Sequence, residues 1–244
     1  MLTSGRLSRV DLSRGARDTA AVSAQRSLNP LYVIGAGGHA KVVIATAQSI
    51  MLPLGGEPVA LWPDIRVRDD NTAIHGRSIM GITVEGDNAS ILRDPHFCAV
   101  LAIGNNGVRA RIGTTATCRF ATVIHHQSIV HSTVRIGTGT VVFAGAIVQP
   151  DTVIGAHCII NTGASVDHDC VLGDAVHIAP GARLAGGVTV GARSFIGIGA
   201  VVAPGITIGD DVIIGAGAAV VRDIPSGTTA VGVPARPLTP RERL

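Results

Sequence analysis

The sequence predicts a two-part chain, a small α/β domain followed by a β-solenoid, and three observations carry that prediction. From Ile124 to Val220 every sixth residue is aliphatic, 17 positions out of 17 without an insertion. Glycine follows many of these aliphatics, as at Gly137, Gly155, Gly173, Gly191 and Gly209. Upstream, residues 31–48 read as a strand that runs through a glycine turn into a helix.

A period of six fits neither an amphipathic helix nor a lone strand. It fits a flat-sided solenoid with one hexad per side, where short parallel strands alternate with tight turns. Three hexads make one triangular coil of 18 residues. The sixth-position aliphatics stack inward, each burial contributing roughly 1.5–3 kcal/mol gross, against about 1–2 kcal/mol per residue of backbone ordering. The residue four further on is mostly small or β-branched, as at Thr140, Ala146, Cys158, Ala164, Cys170, Ala182 and Ala200, which lets the chain turn each corner. So narrow a core excludes aromatics, and the whole chain has six.

The 244 residues suffice for two small domains. Mean hydropathy is positive, but no uninterrupted run of 18 apolar residues predicts a membrane span. The net charge of +3 and the lack of aromatic–basic alternation argue against a nucleic-acid partner. Cys98, Cys118, Cys158 and Cys170 show no metal spacing, and the last two occupy small corner positions, so they read as buried thiols of a reducing, cytoplasmic compartment.

In chain order, residues 1–29 carry five arginines, two aspartates and little periodicity, the pattern of a disordered extension, with a transit peptide as the sharper reading. Residues 30–115 form the first domain. Strand Leu31–Ile34 enters Gly35-Ala-Gly-Gly-His39, where Gly35, Gly37 and Ala40 satisfy the pattern G-x-G-x-x-A. Such a turn brings backbone N–H groups to a phosphate at a helix N-terminus. A second strand, Val59–Trp62, ends at Asp64, about where a ribose- or base-binding carboxylate belongs. A third, Cys98–Ile103, ends in Gly104-Asn105-Asn106. Residues 50–58 and 64–90 read as surface loops, and residues 110–123 as the link to the solenoid at 120–225. Residues 226–244 form a tail over the last coil. The first domain is too short for a full dinucleotide-binding unit, which argues against a dehydrogenase.

Within the solenoid the chemistry concentrates in Asn161-Thr-Gly-Ala-Ser-Val-Asp-His-Asp-Cys-Val-Leu-Gly173. His168 sits near a corner between Asp167 and Asp169. A carboxylate that accepts a hydrogen bond from one ring nitrogen fixes the tautomer and raises basicity at the other. Neighbours in a regular strand point apart, so pairing with Asp169 requires a turn there, and Asp167 is the other possible partner.

Taken together, the hexads, SVDHDC, GAGGHAKVV, AIGNNxxR (Ala102–Arg109) and the VGVPARPL ending resemble the bacterial nucleotide-linked amino-sugar N-acetyltransferases and related sialic acid O-acetyltransferase-like proteins of the hexapeptide-repeat superfamily. The resemblance covers about residues 31–240. It implies a Rossmann-like βαβ domain followed by a left-handed parallel β-helix, a handedness opposite to the general crossover rule. It implies a homotrimer that uses acetyl-CoA, without a metal, on the amine of a nucleotide-linked 4-amino-4,6-dideoxy sugar. It assigns His168 as general base with Asp169 as partner. Gly37, Gly38, His39, Gly104 and Gly107 would contact the nucleotide-sugar, with Asp64 a looser match and Asn161 toward the acceptor. His177, Gly186 and Ile198 would contact acetyl-CoA. Sugar O-acetylation and a non-catalytic nucleotide-sugar scaffold are the competing readings. A zinc enzyme of the same fold is disfavoured, because His126 and His131 lack a suitable third histidine upstream.

Overall fold

All 17 sixth-position aliphatics point into one core. Fifteen of them, Ile136 to Val220, are buried in a single cluster, and Ile124 and Val130 pack against it half-buried. The computed structural model describes residues 30–54 and 57–238, so the expectations for residues 1–29 and for the last six residues lie outside it. Two-residue strands at 123–124, 141–142, 159–160, 177–178, 195–196 and 213–214 pair in parallel as a first face. The second face comprises strands at 129–130, 147–148, 165–166, 183–184, 201–202 and 219–220, and the third those at 135–136, 153–154, 171–172, 189–190 and 207–208. Partners differ by 18 residues, one coil of a parallel β-helix. The corner residues Ala146, Cys158, Ala164, Cys170, Ala182 and Ala200 are fully buried.

The tail closes the far end. Thr229–Val231 adds a parallel strand beside Ile213–Ile214, and Arg236–Pro237 returns antiparallel to it. Ala230 and Ala235 thereby complete the core over the last coil.

The first domain holds β1 (Leu31–Ile34), α1 (Gly38–Gln48), β2 (Met51–Leu54), β3 (Glu57–Ala60), β4 (Ile65–Arg68), β5 (Ser78–Ile79), β6 (Ile82–Glu85), α2 (Asn88–Leu92), β7 (Cys98–Leu101), α3 (Asn106–Thr115) and β8 (Arg119–Phe120). Its sheet runs β5-β6-β4-β1-β7-β8, parallel except for the β5–β6 hairpin. Four sequence expectations need correction, the first being the loop expected at 50–58, which carries β2 and the start of β3. The stretch around Val59 is not the second parallel strand: β2 and β3 form a separate antiparallel hairpin. Pro58 lacks the N–H that a central strand must donate. Nor is 64–90 a loop: β4 pairs residue for residue with β1, and β5, β6 and α2 follow. The interleaved Arg66 and Arg68 disguised β4, whose alternation is that of a half-buried strand. The expected link at 110–123 is also shorter, because α3 runs to Thr115 and β8 still belongs to the first sheet.

The first domain covers the outer side of the first face rather than the open end of the solenoid. Val123, Val141, Phe143 and Ile159 share a core with Leu31, Val43 and Ile44. At the centre of this junction lies Arg109, 1% exposed. Its Nε donates to His157 O (2.7 Å), Nη1 to Ile103 O (2.9 Å) and Gly104 O (3.3 Å), and Nη2 to Asn106 Oδ1 (2.9 Å) and Ala175 O (2.8 Å). All five N–H groups are used. The His157 ring is wedged nearby, edge-on to Phe120 at 4.6 Å. A Cβ added at Gly113 or at Gly139 would collide with that ring, so both positions require glycine.

Burial, reinforced by Arg109, lowers His157 to a pKa of about 4 from 6.5. Above pH 6.5 folded and unfolded chains both carry it neutral, and its contribution to stability is flat. Below that the unfolded chain takes up a proton that the fold refuses, so stability falls toward pH 4, by at most about 1.4 kcal/mol per pH unit for one such ring. Thermal unfolding midpoints should therefore drop between pH 6.5 and 4. A flat profile across that window would show that the ring is not buried neutral.

Candidate active site

His168 occupies the corner between the second and third faces, and its ring lies outside the core. Asp169 takes a left-handed φ of +58°. This is the turn that adjacent residues need to face each other, and Asp is among the few types that enter that region readily. His168 Nδ1–H donates to Asp169 Oδ2 at 2.8 Å, while the His168 backbone N–H donates to Asp167 Oδ1 at 2.8 Å. Asp169 is thus the ring's partner, and Asp167 fixes the backbone and adds negative potential. The Asp169 hydrogen bond, then the Asp167 charge, raises the His168 pKa above its ordinary 6.5. With Nδ1 engaged, the Nε2 lone pair remains as the proton acceptor.

Gly186 lies one coil above His168. A Cβ there would stand 2.5 Å from the ring Cε1 and 2.6 Å from Nε2. The glycine therefore makes room for the imidazole, a role the sequence reading did not contain.

Asn161 and His177 sit at a different edge. Thr162 N–H donates to Asn161 Oδ1 (2.8 Å), which turns the amide so that Nδ2 donates to His177 Nε2 (3.0 Å). The His177 proton therefore resides on Nδ1, which has no partner among the described residues. His177 is 8% exposed, edge-on to Phe195 at 5.0 Å, with the His39 ring 6.2 Å away. Burial and then Arg109 lower His177 to about 3 and His39 to about 4. Both rings are neutral at physiological pH. Ile198 projects from this same edge and is exposed. The structure thus gathers His39, Asn161, His177 and Ile198 along one side of the solenoid, and His168, Asp169 and Gly186 along another. The whole second face stands between the two groups.

The glycine turn stands at the carboxyl ends of β1 and β4. Gly35 has φ +103°, and its N–H donates to Arg68 O at 2.7 Å. Above Gly37, Gly38 and Gly104 a Cβ would meet nothing within 4 Å, and α1 has no side-chain cap. Open space over uncapped N–H groups suits a phosphate. Gly107 lies in the first turn of α3, beside Asn105, which caps that helix through Val108 N.

Asp64 does not stand with these groups. It precedes β4, where its carbonyl accepts from Leu31 N (2.9 Å) at the opposite end of the sheet, and its carboxylate pairs with Arg66. A cavity of about 370 Å³ opens there, lined by Gln48, Trp62 and Asp64 among others, away from the glycine turn. The carboxylates at the carboxyl end include Asp69 and Asp70, which directly follow β4. Asp69 Oδ2 accepts from Ala36 N (2.8 Å) and Oδ1 from Asn71 N (2.9 Å), while Asp70 Oδ1 accepts from Asn88 N (2.9 Å). Placing the second strand at Val59 moved the expected carboxylate to the wrong end; the Asp-Asp pair itself was the available signal.

Among the described residues no group of three His, Cys, Asp or Glu is placed to hold a metal, and no helix is long and apolar enough to cross a membrane.

Two family models match the chain: the PglD N-terminal domain over residues 30–115, and the bacterial transferase hexapeptide (six repeats) over residues 151–186 and 187–222. No curated protein matches. Among solved structures, the chain is similar to the acetyltransferase domain of PglB from Neisseria gonorrhoeae in complex with acetyl coenzyme A. Identity is 40% over 86% of this chain and 99% of that one, with a TM-score of 0.78. It is also similar to a histidine-to-asparagine mutant of perosamine N-acetyltransferase from Caulobacter crescentus, in complex with CoA and GDP-perosamine (40% identity, 87% and 98% covered, TM-score 0.77). A third relative is WeeI from Acinetobacter baumannii (28% identity, 86% and 99% covered, TM-score 0.74).

The geometry separates the histidines by titration. In an NMR titration His168 should show a midpoint above 6.5, and Asp169→Asn should move it back toward 6.5. His39 and His177 should stay neutral at pH values where His168 is half-protonated. A His168 midpoint unchanged in Asp169→Asn would dissolve the pairing.

Proposed function

The chain belongs to the bacterial hexapeptide-repeat transferases that carry a PglD-type N-terminal domain, and from that membership we propose an acetyl-CoA-dependent N-acetyltransferase. Its acceptor is the 4-amino group of a nucleotide-linked 4-amino-4,6-dideoxy sugar. The observation that carries the mechanism is the His168–Asp169 pair, held on an exposed corner with Nε2 free.

In this reading the glycine turns at Gly37, Gly38 and Gly104, with His39 and Gly107, hold the nucleotide-sugar. Asp69 and Asp70 replace Asp64 as its carboxylate contacts. Asn161, His177 and Ile198 line the side where the acceptor and the pantetheine arm meet, and Gly186, which makes room for the imidazole, lies where the resemblance puts a backbone contact to acetyl-CoA. The neutral amine attacks the thioester carbonyl, so that a C–N bond forms as the C–S bond breaks. His168 Nε2 takes the amine proton and the CoA thiolate departs. No acyl-enzyme is involved: Cys158 and Cys170 are fully buried, and burial raises Cys158 to about 12, which keeps it a protonated thiol. Much of the rate then comes from holding the two substrates together.

His168 lies one edge away from the Asn161–His177 side, so one copy holds half of this site. We assign the second face, which exposes Ile129 and Val201, to contact between copies of a homotrimer. The base of one copy then faces the acceptor held by the next. Sugar O-acetylation by the same residues is the second reading, because the base and its partner suit a hydroxyl as well.

Assays with acetyl-CoA and UDP-, GDP- or dTDP-linked 4-amino-4,6-dideoxy sugars test the assignment directly. One of these amines should be acetylated, and His168→Ala should cut kcat by about 10²–10⁴-fold. With an amine acceptor part of that loss should return at high pH as free amine accumulates; with a hydroxyl it should not. Wild-type kcat should decline on the acid side with an apparent pKa above 6.5. Asp69→Asn should raise the KM for nucleotide-sugar while Asp64→Asn leaves it unchanged. The reverse result would restore Asp64 to the site. Failure to acetylate any of the three would remove the N-acetyltransferase reading.

A further inference from the structure

We propose that Asn106 and Arg109 form a register clamp, a pair of positioning residues that locks the nucleotide-binding turn at one height on the solenoid. The inference rests on the acetyl-transfer reading above and concerns how its two halves are held at the reacting distance.

Residues 157, 175 and 193 lie 18 apart, on successive rungs of the corner between the third and first faces. All three take the same left-handed conformation, with φ of 56°, 55° and 61°. Arg109 donates to the carbonyls of the first two rungs, at 2.7 Å and 2.8 Å. Asn106 Nδ2 donates to the third, Arg193 O, at 2.8 Å, and to the neighbouring Ser194 O at 3.0 Å. The two side chains are joined, Arg109 Nη2 donating to Asn106 Oδ1. With its remaining hand, Nη1, the guanidinium holds the carbonyls of Ile103 and Gly104. These belong to the turn beside which the nucleotide-sugar is placed. One pair of side chains therefore touches the turn and three consecutive coils.

The chemistry of the clamp is unusual for a stabilising contact. Arg109 is buried with carbonyl and amide oxygens as its hydrogen-bond partners and no carboxylate among them, and burial lowers it to about 10. Buried charge costs desolvation, and an apolar contact would stabilise as well or better. What the planar fork supplies is geometry, since several N–H vectors fixed in one plane define both height and rotation. The carbonyl row supplies acceptors one coil apart, so the clamp holds the turn at a fixed height and rotation over the three coils on which it docks.

The test compares the full-length wild type with Asn106→Ala, which breaks the third rung but leaves the buried arginine in place. The probes are acetyl-CoA and the UDP-, GDP- or dTDP-linked 4-amino sugar that the wild type turns over. Calorimetric Kd values for nucleotide-sugar and for CoA should stay within about threefold, while kcat falls about 10–100-fold, the loss expected when bound reactants are misplaced by an ångström or so. Arg109→Lys should not rescue kcat, because a point charge cannot span two rungs and the turn. A folded Asn106→Ala enzyme with unchanged kcat overturns the clamp. So does a loss confined to nucleotide-sugar binding, or a variant that fails to fold, since each makes the contact something other than positional. If the wild type acetylates none of these sugars, the functional reading and the clamp fall together; if only the variant behaves as wild type, the clamp falls alone.

Discussion

An 18-residue register governs this molecule. Because each coil returns to the same three corners, residues one coil apart are stacked whatever their chemistry. Thr140 Oγ1 accepts from Cys158 N, Thr152 Oγ1 from Cys170 N, and Ser194 Oγ from Val212 N, each across 18 residues. Asp174 and Asp210 likewise accept from Ala156 N and Ala192 N. The same arithmetic places Gly186 over His168 and aligns the three carbonyls at 157, 175 and 193. Site, dock and core therefore follow from one spacing, and a side chain is chosen as much by what lies one coil away as by its neighbours in sequence.

The electrostatics divide along the same lines. At the junction of the two parts, burial and a single enclosed guanidinium keep His39, His157 and His177 unprotonated. On the far corner, two carboxylates draw His168 the other way. Of these four imidazoles, only the exposed one is poised to exchange a proton near neutrality. Desolvation and charge pairing, two opposite influences on the same functional group, thereby separate rings that packing holds in place from a ring available for chemistry.

Much of this was legible in the chain. The hexads gave the inward aliphatics from Ile124 to Val220, since a period enforced by steric exclusion in a narrow core leaves an unbroken trace. The His168–Asp169 pair was legible as residue types, and only its geometry, a positive φ at Asp169, had to be seen. The first domain was harder. Its strands are four residues long, β4 hides its alternation behind arginines, and the β2–β3 hairpin imitates a central strand. That misplacement carried Asp64 with it and passed over Asp69. Arg109 was visible as the last letter of a motif, but its partners at 157 and 175 are backbone carbonyls, which no side-chain pattern announces. Gly186 was named as an acetyl-CoA contact by resemblance, and only the structure adds that a Cβ there would collide with the His168 ring.

A scaffold built from equivalent layers has a hazard that irregular folds escape: anything resting on it has near-copies of its berth above and below. A slip of one layer moves the docked part by about 4.8 Å, farther than any reacting pair tolerates, while preserving most of the same contacts. The wedge of His157 between Gly113 and Gly139 removes that degeneracy. Only one layer carries a ring at that corner, since the equivalent places above it hold Ala175 and Arg193, and only there do two glycines admit it. A single imidazole thus acts as an index pin, making one position unique on an otherwise periodic track.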